Sequence, residues 1–193
     1  MIRLRGGAAV QDLLVERARR GDSDAFSALA ARVVDGCYSL AYAVLRDADL
    51  ARDAVQAALL GAWRDLPDLR EVEKFDAWLH RLVVHACYAE ARRERRWTAA
   101  VRAFPTEHPT LPDTAISVAD RDELERAFRR LPPEQRAVVA LRYYLDLPLS
   151  EVAATLGIPP GTARSRLHHA TRQLRAAVEA DARPAVTSEG RLP

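Results

Sequence analysis

The sequence predicts an all-α protein of two small helical domains, and three observations carry that prediction. Apolar residues recur three or four positions apart through nearly every long stretch. No run alternates apolar and polar residues as a half-buried strand would. One Pro-interrupted stretch without periodicity divides the chain. The length, 193 residues, suits one domain or two small ones.

In chain order, Met1 to Val10 reads as a frayed end, and Asp12 to Arg20 as a first helix with Leu13, Leu14 and Ala18 on its apolar side. Gly21 stops it, and Asp22 or Ser23 caps a second helix whose stripe runs Phe26, Leu29, Ala30, Val33, Cys37, Leu40, Ala41, Val44 and Leu45. Asp47 to Leu66 supplies the covering helix. There Val55, Leu59, Ala62, Trp63 and Leu66 face in, while Asp49, Arg52, Asp53, Gln56 and Asp65 face out. Gly61, costly in mid-helix, predicts close packing, and Pro67 ends the element before a charged loop from Asp68 to Glu73. Lys74 to Trp97 is a further helix with Phe75, Trp78, Leu79, Leu82, Val83 and Ala86 inward and an Arg92 to Arg96 cluster at its far end.

Thr98 to Ala119 holds Pro105, Pro109 and Pro112 and reads as an extended linker. Asp120 to Arg130 then forms a helix with Leu124, Ala127, Phe128 and Leu131 inward. Pro133 starts the next, where Val138, Val139, Leu141 and Tyr144 pack. From Leu149 to Arg175 the punctuation is the most informative. Ser150 is a candidate N-cap, Val152, Ala153 and Leu156 give an apolar side, Gly157 takes the left-handed closing position, and Pro159-Pro160 opens a second helix. That is a helix-turn-helix, whose second helix enters the DNA major groove. Ala163, Leu167, Ala170 and Leu174 form its buried side; Thr162, Arg164, Ser165, Arg166, His168, His169 and Arg172 are left to face a ligand, with no acid between Glu151 and Glu179.

A net charge of +2 is too small for a uniformly basic coat, so DNA contact has to come from local segregation of charge. Cys37 and Cys87 read as two separate buried thiols, and neither they nor His80 and His85 fit a compact metal-ligand spacing. No run approaches a membrane span, no apolar signal core opens the chain, and no phosphate loop or catalytic triad context is visible. The sequence therefore reads as a cytoplasmic non-enzyme without metal, cofactor or small-molecule substrate.

Four stretches in order carry a resemblance: Asp53-Ala54-Val55-Gln56 with Ala62-Trp63; Phe75 to Leu82; Leu131-Pro132-Pro133-Glu134-Gln135-Arg136; and Leu149 to Ala153 continuing through Gly161 to Leu167. With them the chain resembles the sigma-70 family of bacterial sigma factors, extracytoplasmic-function group, which keeps only domains 2 and 4 joined by a linker. The resemblance implies domain 2 over residues 12–97, a linker over 98–119 and domain 4 over 120–182.

It further implies that Asp53 and Gln56, helped by Asp49 and Arg52, dock on a coiled-coil clamp of the polymerase largest subunit. The loop Asp68 to Lys74 and the helix after it capture a flipped base at the minus-10 element, with Lys74, Arg81, His85, Arg92 and Arg93 contacting DNA. Trp78 is open between a core role and base stacking. At the minus-35 element Arg164, Ser165, His168 and His169 face bases and Thr162, Arg166 and Arg172 phosphates, while Arg142 and Tyr143 steady the backbone. The implied partners are core RNA polymerase, promoter DNA and an anti-sigma factor. Several positions depart from the family: His169 where Arg is frequent, Thr171 where a basic residue is common, His85 where Asn is frequent, the acidic Glu71-Val72-Glu73, and Ala57-Ala58 after Gln56 in place of Glu-Thr. The alternatives are a dimeric helix-turn-helix regulator and a degenerate sigma-like protein that binds partners without supporting transcription. The tail after Arg183 is expected to be disordered and to append no further domain.

Overall fold

The computed structural model describes the backbone of residues 5–103 and 119–181, and the side chains of 9–99 and 124–180. Within them the elements are α1 (Arg5–Arg19), α2 (Ser23–Leu45), α3 (Ala48–Asp65), α4 (Phe75–Ala103), α5 (Ala119–Arg130), α6 (Pro133–Val139), α7 (Leu149–Leu156) and α8 (Pro160–Asp181). Most of the linker and the tail after Arg183 lie outside the described residues.

The caps arise from side-chain chemistry. Asp22 accepts from the Ala25 backbone N–H at 3.0 Å, and Asp47 accepts from Asp49 and Leu50 at 2.9 Å each, satisfying donors a helix start leaves open. Gly157 closes α7 at φ 63°, as its position predicts. Ser150 is not a cap: Pro148 fixes the chain's entry, its carbonyl accepts from Val152 at 3.0 Å, and Ser150 sits exposed in the first turn.

Other differences have equally local causes. α1 begins at Arg5, because two glycines weaken a helix without stopping one anchored by its later turns; its buried residues are Val15 and Ala18, and Leu13 is exposed. α4 runs past Trp97 to Ala103, the next helix-ending signal being Pro105, which disfavours helical geometry at the residue before it. After α6 a single π-turn spans Ala140–Tyr144, with Leu145 donating to the carbonyl of Ala140 five residues back. The extra residue rotates the chain beyond it, so Tyr144 faces solvent and Leu145 packs inward. Leu124 is also exposed. A Cβ at Gly61 would meet nothing within 4 Å, so close packing is not the reason for that glycine.

α2 is the centre of the N-terminal unit, packed against α1, α3 and α4. It is 23 residues long and contains an 18-residue window with a mean hydropathy of 1.3, so, contrary to expectation, one helix does match a membrane span by length and composition. Leu29, Leu40, Ala41 and Val44 are buried, which makes it a core helix. The loop between α3 and α4 is pinned by Leu66, Leu69 and Val72, all buried; each such burial stabilises by roughly 1.5–3 kcal/mol.

The C-terminal unit does not stand apart. Val138, Leu141, Val152 and Leu156 continue the apolar core of the N-terminal helices, and α6 and α7 lie against α2 and α4. Helical spacing predicts that these residues are buried but not against what, because one stripe serves equally for packing within a unit or between units.

Candidate nucleic-acid interface

α8 is oriented by two alanines. Ala163 and Ala170 are both fully buried, two turns apart, and the small side chains let the helix lie close on α5, α6 and α7. That fixes the opposite face outward, and Arg164, Ser165, His168, His169 and Arg172 are all exposed on it. The His168 and His169 rings meet edge to face at 5.9 Å. Thr162 and Arg166 are half-buried at the margin; the Arg166 charge acts on the phenol of Tyr88 on α4, whose pKa burial pushes up. Thr171 turns its hydroxyl back onto the carbonyls of Leu167 (2.9 Å) and His168 (3.1 Å), so its donor is spent within the helix. Arg142 pairs with Asp146 at 3.2 Å and lies over the Tyr143 ring.

A second basic stripe lies along α4. Arg81, His85 and Arg92 are exposed, and their spacing of four and seven residues keeps them on one face, with Lys74 exposed in the 3-10 turn just before the helix. Lys74 is paired with Glu71 at 2.7 Å. His85 has its pKa pushed below 6.5, first by partial burial and then by Arg81 and Arg92, so at neutral pH it offers an uncharged imidazole. Trp78 is half-buried beside Phe75, at 6.0 Å between rings, and also lines an open groove of about 540 Å³, so both roles open to it in the sequence remain geometrically available. Arg93 leaves the stripe: it pairs with Glu90 at 2.8 Å and with Asp53 of α3 at 3.4 Å.

The third face is α3. Asp49, Arg52, Asp53 and Gln56 are exposed together, with Arg52 holding Asp49 at 2.6 Å. The stripe continues into Leu60 and Trp63, and Trp63, expected in the core, instead lines the wall of an apolar groove of about 490 Å³ with Phe26 at 4.9 Å. Its hydrophobicity suggested burial; the groove between α2 and α3 provides only half of it.

The groove beside Trp78 is closed on its other side by Glu151, Ala154 and Thr155 of α7, and a Cβ at Gly157 would come 3.6 Å from the Arg81 Nη2. The helix-turn-helix thus sits against the basic stripe of α4. Arg46 and Glu125, which join the two units by an ion pair, carry no motif and were not legible in the sequence. Among the described residues no group of His, Cys, Asp and Glu is placed to hold a metal ion, and Cys37 and Cys87 are separate and buried.

Comparison with known proteins agrees with this layout. Sigma-70 region 2 matches residues 25–97 and Sigma-70, region 4 matches residues 121–174. The ECF RNA polymerase sigma factor SigM of Mycobacterium tuberculosis is 34% identical over 162 residues, 80% of this chain and 77% of that protein. SigW of Bacillus subtilis, also an ECF RNA polymerase sigma factor, is 25% identical over 173 residues, 83% of this chain and 92% of that one. The fold is similar to the sigma factor RpoE crystallised with the anti-sigma factor NepR from Bartonella quintana (TM-score 0.63, 22% identity, 81% of this chain and 98% of that one). It is also similar to CnrH in complex with the cytosolic domain of CnrY (TM-score 0.62, 24% identity, 89% and 99%). With an exposed recognition helix, a second basic helix and family matches over both units, this chain belongs to the extracytoplasmic-function group of RNA polymerase sigma factors.

Proposed function

We propose that the protein directs core RNA polymerase to promoters with three faces of separate duty. The exposed side of α8 reads duplex DNA at the minus-35 element: Arg164, Ser165, His168 and His169 address bases, with Arg172, Arg166 and Thr162 on phosphates. Arg supplies the bidentate fork that suits guanine and phosphate alike. The stripe Lys74, Arg81, His85 and Arg92, joined by Arg93 when it releases Asp53, holds the minus-10 strand as that element melts. Asp49, Arg52, Asp53 and Gln56 on α3 dock on polymerase, extended by Leu60 and Trp63. On this reading residues 12–97 serve polymerase and minus-10 binding, 98–119 the connection and 120–182 minus-35 binding.

The observation that carries this reading is the α8 face, where two buried alanines force five polar or cationic side chains outward on a helix without an acid before Glu179. No catalytic residue is assigned; nucleotidyl transfer stays with polymerase, and the setting is the cytoplasm, where polymerase and chromosome meet. An anti-sigma factor is a further partner, as NepR is for RpoE. Run-off transcription with purified core polymerase tests the reading. A discrete product that requires this chain supports it, and polymerase binding without any product would instead make the chain an interaction protein.

A further inference from the structure

We propose that the pocket where α4 meets the start of α6 binds a small organic anion, a carboxylate or phosphate carried on an apolar body. The site is separate from the DNA and polymerase faces, and it does not rest on the proposed function.

The pocket has a volume of about 310 Å³, at the lower end of the range for small-molecule sites. Leu45, Leu50 and Ala91 line it from one unit, and Leu131 and Pro133 from the other, which suits a short aliphatic or aryl group. No aromatic ring is among the described lining residues, so a compact body fits better than a stacked nucleobase. The charges have one sign in excess. Arg95, Arg129 and Arg136 line the pocket against a single carboxylate, Glu94, which already accepts from the Thr98 hydroxyl at 3.2 Å.

These cations are short of counter-charge. Arg136 is 8% exposed, its Nη1 donates at 3.3 Å to the Arg129 carbonyl at the end of α5, and its Nε is buried without an acceptor. Its basicity is lowered first by burial and then by the charge of Arg46, with Arg129 and Arg95 adding to it and Glu134 opposing. The Nε of Arg46 is likewise buried without an acceptor, and Glu125 is already shared between Arg46 and Arg129.

A guanidinium taken out of water without a carboxylate is costly, and an oxyanion that meets its planar fork relieves that cost through paired charge-assisted hydrogen bonds. Carboxylate and phosphate both match the fork. Holding the Arg129 carbonyl accounts for the place of Arg136 but not for the guanidiniums of Arg46, Arg95 and Arg129 gathered around it. Arg95 is steadied at the pocket by its Nε, which donates to the Ala91 carbonyl at 3.1 Å.

Titration of the full chain with phenyl phosphate, benzoate, inorganic phosphate and benzyl alcohol, followed by amide NMR and by Tm, tests the site. Phenyl phosphate or benzoate is expected to saturate, to move the amides of Leu50, Ala91 and Leu131, and to raise Tm. Inorganic phosphate has the charge without the body and benzyl alcohol the body without the charge, so each should bind several-fold more weakly. Tighter binding of phenyl phosphate assigns a phosphomonoester; tighter binding of benzoate assigns a carboxylate. Arg95→Gln, at an exposed position that lines the pocket, is expected to weaken binding several-fold with helix content unchanged, and Glu94→Gln to strengthen it. Arg20→Gln, exposed on α1, should leave it as it is. Failure of both aryl anions to saturate, equal binding of inorganic phosphate, or the same loss in Arg20→Gln as in Arg95→Gln overturns the site. Run-off transcription needs none of these ligands, so the proposed function stands or falls separately.

Discussion

Arg93 on α4 reaches Asp53 on α3, guanidinium to carboxylate at 3.4 Å, so the helix assigned to DNA and the helix assigned to polymerase touch through one pair of opposite charges. Both side chains are more than half exposed, and such a pair contributes about 0–1 kcal/mol to stability. Asp53→Asn is therefore expected to weaken polymerase binding while leaving the melting temperature nearly unchanged. A large loss of thermal stability in that variant would show the pair to be structural.

On α8, Arg164→Ala is expected to cost about 1–3 kcal/mol in binding the minus-35 element, measured with the duplex and the polymerase complex. Because the side chain is exposed, the fold should not notice. Ala163→Leu should show the converse: with no space at a fully buried position, overpacking costs about 1–3 kcal/mol of stability and shifts the whole helix.

Two glycine substitutions should differ in sign. Gly157→Ala must place a side chain at φ 63° and next to Arg81, at a cost of about 1–2 kcal/mol. Gly61→Ala meets open space in mid-helix and should stabilise by about 1 kcal/mol. Chemical denaturation of the two variants beside the parent chain reads both.

His85 gives a pH dependence with a definite direction. Its folded pKa lies below 6.5, chiefly through burial, so the unfolded chain takes up the proton first as pH falls. Stability contributed by the neutral imidazole is complete above 6.5 and declines as pH drops below it. The melting temperature should fall less between about pH 8 and about pH 5 in His85→Gln than in the parent chain. Parallel curves would contradict the assignment.

Much of this was legible in sequence because it is local. Asp22, Gly157 and Pro160 act on backbone groups within a few residues, so their signals place helix ends wherever the helix later packs. The outward set on α8 followed from the period of Ala163, Leu167, Ala170 and Leu174, although Thr162 and Arg166 lie half-buried at its margin. What escaped was non-local or depended on one extra residue. The π-turn rotated Tyr144 out of the core, Leu69 and Val72 became anchors inside a loop without periodicity, and the Arg46–Glu125 pair joins positions 79 residues apart. Trp63 and Trp78 sit at groove walls, where a large aromatic is neither core nor surface, and a stripe pattern has no third state for them.

The central claim is that two helical units of one chain hold two separate promoter elements while mounted on one polymerase. Footprinting of the polymerase complex on a promoter fragment tests it most directly. The expected result is protection of both elements at once, with Arg164→Ala removing only the upstream patch. Protection unchanged by Arg164→Ala, or the same footprint from this chain without polymerase, would contradict it.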